Sequence, residues 1–218
     1  LALRGAIVWK NNKHYHYLRI GPFPFHITEE NKTEVTQLFR QYSFDFETLE
    51  NSHMNAPSII HMQTRLTTLL ERWLQASVTS QSQGTIILLD GSLTAGTPDT
   101  PVNVLAQLLQ TARIRLNTIL AFSKMTNLRI NGHLITDVLP EHRPPYLLET
   151  HGLNARPPIL LLGDIYVARF SKEKYAFRLD IDRETPIPNR IKAVEKLIGN
   201  ELLSQSYPET LRLAHILC

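Results

Sequence analysis

Thr85-Ile86-Ile87-Leu88-Leu89-Asp90-Gly91-Ser92 is the stretch on which the fold turns. Its four aliphatic residues do not alternate with polar ones, the pattern of a strand buried on both faces, and such strands are typically parallel and central. The run ends at Asp90-Gly91, where the chain must turn. Upstream, Ile59, Met62, Leu66, Leu69, Leu70 and Trp73 recur at three- and four-residue steps and predict a helix over Pro57–Ala76. Ser77–Gly84 reads as a polar loop. Downstream, Pro101–Arg113 predicts a second helix and Asn117–Phe122 another buried strand, which together make a β-α-β crossover.

The flanks extend this pattern. Leu1–Trp9 and His14–Ile20 read as two strands joined through Lys10-Asn11-Asn12-Lys13, and Gly21-Pro22-Phe23-Pro24 ends their regularity. Residues 28–55 read as an irregular excursion whose Phe39, Tyr42, Phe44 and Phe46 are candidates for an interface or equally for packing on the core. Met125–Leu139 is a mixed helix or loop, and His142–Pro158 a linker or surface loop. Ile159–Phe170 and Tyr175–Ile181 form a second hairpin. Pro188–Leu203 and Pro208–Leu217 are helical. The expected class is α/β: one domain over 1–218, with a mixed sheet (antiparallel hairpin plus parallel strands) flanked by helices.

Composition narrows the classes. With 218 residues, 43% hydrophobic and 20% charged, the chain can bury one sizeable core and is not disordered as a whole. No apolar run approaches the roughly 18 residues of a membrane span. Arg4, Trp9 and Lys10 interrupt any signal-peptide core. The single cysteine, Cys218, excludes an internal disulfide and a cysteine-based zinc site, and it suits a reducing cytoplasm. A net charge of +3 is compatible with nucleic acid without demanding it. The chain starts at Leu1 in an apolar segment and stops at Cys218 in a helical pattern, which reads as a piece of a longer protein.

Asp90 is the most informative residue, because open α/β sheets gather ligands at the carboxyl ends of their strands. A carboxylate there suits a divalent cation, and a turn or capping role is the ordinary alternative. The second cluster is Tyr207-Pro208-Glu209-Thr210-Leu211-Arg212-Leu213-Ala214-His215. Two helical turns would put Tyr207 and His215 near one face, bracketing a site; an amphipathic closing helix is the alternative. Glu71 is the one carboxylate of the Pro57–Ala76 helix, either turned toward the Asp90 strand or exposed beside Arg72 or Arg65. Lys124 follows a buried strand and could set a cation near phosphate. Arg169, Lys172, Lys174 and Arg178 form a basic set, DNA-facing or simply solvated. His14 and His16 share a strand face but lack a third metal ligand. Phosphate-loop, GxSxG, HExxH and CxxC motifs are absent.

Three segments together resemble the NurA nuclease family of archaea and bacteria. Ile87–Leu93 is similar to its internal strand-end motif, in which hydrophobic residues precede Asp-Gly-Ser-Leu. Tyr207-Pro208 through Ala214-His215 is similar to its closing motif, with the same eight-residue spacing. Leu120–Lys124 and Tyr175–Leu179 resemble two further strands of that family. The resemblance implies a ribonuclease H-like core, whose element order this chain shares, that uses Mn²⁺ or Mg²⁺ to cut DNA. Position by position it implies Asp90, Glu71 and His215 as metal-binding and catalytic residues and Tyr207 as a further catalytic residue. Lys124 and Arg178 would meet the substrate. The family's first Asp has no counterpart and would lie, with the domain's first strand, just before Leu1. The resemblance also implies a cytoplasmic homodimer, no membrane, and a HerA-type hexameric ATPase partner in DNA end resection and recombination repair. A catalytically inactive scaffold that binds DNA or the ATPase is the rival reading.

Overall fold

A computed structural model describes residues 1–43, 58–97, 100–137, 142–153 and 155–218. In chain order the elements are β1 (Ala2–Asn11), β2 (His14–Pro24), α1 (Lys32–Ser43), α2 (Ile59–Gln81), β3 (Ile86–Asp90), β4 (Thr94–Ala95), α3 (Val102–Ile114) and β5 (Thr118–Ser123). There follow β6 (Arg129–Ile130), β7 (His133–Leu134), β8 (Tyr146–Glu149), β9 (Leu160–Leu161), β10 (Gly163–Arg169) and β11 (Phe177–Asp182). The chain closes with α4 (Ile187–Asn200), β12 (Leu203–Ser204), β13 (Tyr207–Pro208) and α5 (Glu209–Leu217).

The main sheet has five strands in the order β3-β5-β11-β10-β8. Only β3 and β5 run parallel, joined by the α3 crossover; the other neighbours are antiparallel. The molecule is therefore mixed α/β, as the sequence predicts. β5 shows why its residues form an interior strand. Ile119 and Ala121 pack with Leu105, Leu108 and Leu109 of α3, while Leu120 and Phe122 pack with Val194 and Leu197 of α4. Alternate side chains thus enter opposite layers. Burying a side chain of this size contributes about 1.5–3 kcal/mol.

Four expectations need correction. β3 is parallel but stands at the edge of the sheet, not its centre; its faces are buried by helices rather than its edges by strands. The β1–β2 hairpin does not join the main sheet. Leu3 packs instead with Met62, Leu66, Leu69 and Leu70 of α2, and the sheet's antiparallel strands are β8, β10 and β11. The excursion after residue 28 contains α1, because Thr28 and Asn31 cap it reciprocally and Val35 packs toward α2. The loop expected over His142–Pro158 holds β8, which pairs with β10. Smaller differences follow from tertiary contacts. α2 runs on to Gln81 because Thr79 is wholly buried and its carbonyl accepts from Asn117 Nδ2. Met125–Leu139 contains the short β6–β7 ribbon. Phe44 and Phe46 lie outside the described residues, as do the side chains of Phe39 and Tyr42.

Candidate active site

The site forms where β3 and β5 end together. Their parallel register sets Asp90 opposite Phe122, so Ser123 at the end of β5 and Lys124 just after it lie beside the turn after Asp90. That turn needs Gly91, whose φ of 140° is costly for any residue with a Cβ. Gly91 N–H donates to Phe122 O at 2.7 Å, and Ser123 Oγ donates to Gly91 O at 2.8 Å. Two residues on, Leu93 N–H donates to Asp180 Oδ2 at 2.9 Å. The Asp90 turn is therefore tied to two neighbouring strands.

Lys124 Nζ lies 3.1 Å from Asp90 Oδ2 and 5.0 Å from the centre of the Tyr207 ring. Both members of this ion pair are partly exposed, with side chains 37% and 42% accessible. Tyr207 is buried against Phe122 and Phe177, at ring separations of 6.1 and 5.2 Å. Its Oη is buried without a partner at full hydrogen-bond geometry, and a looser interaction joins it to Asp90. Burial first, then the Asp90 charge and that interaction, push the phenol above its ordinary pKa. Tyr207 therefore stays protonated across the physiological range. The turn before it has Gln205 and Ser206 at φ of 54° and 67°, and buried Ser206 Oγ accepts from Phe170 N–H and Ser171 N–H.

Glu71 belongs to the same neighbourhood. It is half-buried on α2, and its Oε1 accepts from Gln75 Nε2 at 2.9 Å. Burial raises its pKa most; Arg72 opposes this, Asp90 adds to it, and the Gln75 bond opposes it. The influence of Asp90 on Glu71 places both carboxylates within Coulombic reach. Arg72 donates to Gln75 Oε1 and Thr100 Oγ1 rather than forming a direct ion pair with Glu71.

Two sequence-predicted residues, His215 and Arg178, sit apart, and a third, Tyr207, reaches the site by another route than a helix face. Tyr207 belongs to β13 and precedes the helix, because Pro208 is extended (φ −62°, ψ 131°) and α5 begins at Glu209. The eight-residue spacing is thus not two helical turns. His215 is exposed on α5, and no hydrogen bond or ion pair among the described residues joins it to Asp90, Glu71 or Tyr207. Arg178, expected on a DNA-facing surface, is buried. Its Nε and Nη2 donate to the two oxygens of Asp180, each at 2.6 Å, and Nη2 also reaches Thr94 Oγ1. It supports the loop after Asp90 instead of facing solvent. Asp180 and Cys218 were not singled out from the sequence. Only the i,i+2 spacing of Arg178 and Asp180 on one strand face hinted at the former. The Cys218 thiol is pushed up first by partial burial; Ala6 N–H and Arg19 lower it, and the charges of Asp90 and Glu71 raise it. A depression of about 360 Å³ lies beside it, lined by Ala2, Leu3, Arg4, Gln63, Thr67 and Cys218.

Among the described residues no three His, Cys, Asp or Glu side chains converge on one point. Asp90 and Glu71 offer hard carboxylate oxygens, the donor type that Mg²⁺ and Mn²⁺ take. No helix of the described residues is long and apolar enough to cross a membrane. No family model, curated protein or solved structure matches the chain.

Proposed function

We propose that this chain is the ribonuclease H-like, NurA-type core of a metal-dependent DNA nuclease. The observation that carries the reading is the cluster of Asp90, Lys124 and Tyr207 at one strand end, with the charge of Asp90 felt at Glu71. Asp90 and Glu71 would hold Mn²⁺ or Mg²⁺, which when bound supplies Lewis acidity and charge screening for phosphodiester hydrolysis. Lys124 Nζ would meet a non-bridging phosphate oxygen once it leaves Asp90. Glu71, whose pKa burial raises, would accept a proton at its carboxylate from water. Tyr207 keeps its proton, so it donates to Asp90 or phosphate and does not act as a base. His215 enters the proposal from the resemblance alone, as a metal ligand or proton carrier. The same resemblance supports a cytoplasmic homodimer docked on a HerA-type ATPase in DNA end resection and recombination repair.

One observation favours the rival scaffold reading, namely that the Lys124 ammonium already pairs with Asp90. End-labelled single-stranded DNA with Mn²⁺, Mg²⁺ or EDTA separates the two. Metal-dependent cleavage that Asp90→Asn reduces on the order of 10³-fold, the scale of several kcal/mol lost from the transition state, is the expected result. DNA or ATPase binding without cleavage in either metal would establish the scaffold instead.

A further inference from the structure

We infer that the tip of the β1–β2 hairpin is a stacking platform for single-stranded nucleic acid, separate from the Asp90 site. This goes beyond the nuclease reading and does not depend on it. The register pairs Ile7 with Leu18, Trp9 with His16 and Asn11 with His14, so these six side chains share one face. At the root of the hairpin that face is covered, since a Cβ on Gly5 would meet Leu74 and Leu70 of α2. Toward the tip the cover ends. Trp9 is 46% exposed and Leu18 52% exposed, while the Trp9 and His16 rings stack at 5.6 Å with only 17° between their planes. The opposite face is anchored, as Lys10 Nζ donates to Asn200 O at the end of α4 and lies over Tyr15. An uncovered apolar and aromatic face on an anchored ribbon calls for an occupant.

Charge identifies it. Residues 1–28 contain Arg4, Lys10, Lys13 and Arg19 and no Asp or Glu. The whole chain has 23 basic and 20 acidic side chains, so the entire positive excess resides in this hairpin and its short extension. A polyanion with flat π faces complements such a surface, with bases stacking on Trp9 and His16 and phosphates near Lys13 at the turn. A duplex keeps its bases stacked on one another and offers no such faces. A protein strand added to the open edge of β2 would gain little from the unbalanced charge.

The test reads binding in EDTA, where no metal-dependent hydrolysis occurs, so its failure is distinct from failure of the nuclease proposal. The chain has two tryptophans, and Trp73→Phe leaves Trp9 as the reporter. An oligo(dT) of about 15 nucleotides, within the usual site size of such surfaces, should quench Trp9 saturably, and oligo(U) should do the same. Trp9→Ala should weaken binding of the labelled oligonucleotide roughly tenfold, while Trp9→Phe keeps it within about threefold. Because Trp9 is so exposed, both variants should keep the parent circular dichroism and melting temperature. Three results would overturn the inference: binding without Trp9 quenching, equal affinity for a duplex of the same length, or self-association that Trp9→Ala abolishes without oligonucleotide. The last would make this face a protein interface.

Discussion

Asp90 and Asp180 lie on strands of the same sheet, and each carboxylate faces one cationic side chain, yet their surroundings assign them different work. Asp180 is 1% exposed; it takes two guanidinium bonds from Arg178 and one from Leu93 N–H, so its oxygens are engaged. Burial still dominates its acidity, raising the pKa against the opposing pull of Arg178 and Leu93. Asp90 has one lysine, at 3.1 Å, and its side chain is 42% accessible. A buried, forked pair is costly to break, whereas an exposed ammonium–carboxylate contact contributes little and exchanges readily. The first arrangement holds a loop in place. The second leaves a carboxylate whose partner can be displaced by a ligand.

Removing each cation is the strongest way to break this comparison. Arg178→Met should destabilise the fold by about 3–5 kcal/mol in chemical denaturation, because it strands a buried carboxylate. Lys124→Met should stay within about 1 kcal/mol. Equal losses would erase the distinction. The turn between the two regions gives an intermediate effect. The space around Gly91 is open, so Gly91→Ala should cost about 1–3 kcal/mol through its backbone conformation alone, and a parent-like midpoint would contradict the φ of 140°.

The smallest effect concerns Glu71 and sharpens the electrostatics. Its folded pKa is raised, chiefly by burial, so the folded chain holds the proton more tightly than the unfolded one. Stability from this group is then fully present below the ordinary carboxylate range and is lost as pH rises through the raised value. Glu71→Gln should accordingly melt higher than the parent at neutral pH, with the difference shrinking toward zero in acid. A constant difference across pH would remove burial of Glu71 from the argument.

Local pattern made much of this fold legible. The unbroken Ile86–Leu89 run, the three-four spacing of Met62 to Leu70 and the alternation around the two hairpins each reflect burial that side chains impose within one element. Asp90 could be picked out for the same reason, since a charged residue closing a buried strand must reach its surface end. The Arg178–Asp180 pair was not legible as such, because an arginine reads the same whether it is solvated or buried beside a carboxylate. Glu71 lay between two readings until α2 was seen to be half-covered.

What the sequence by itself determined is the first hairpin, α2, β3, α3, β5 and the two closing helices, the α/β class and the residues able to do chemistry. Tertiary structure decided which of them meet. It set β3 at a sheet edge, detached the first hairpin onto α2, put Tyr207 before its helix instead of on it, and left His215 on an exposed face. The physical reason is that periodicity records how a residue sits within its own helix or strand. Partnership across the sheet depends on register, crossover and close packing between segments far apart in the chain, and these are resolved only when all the layers are assembled.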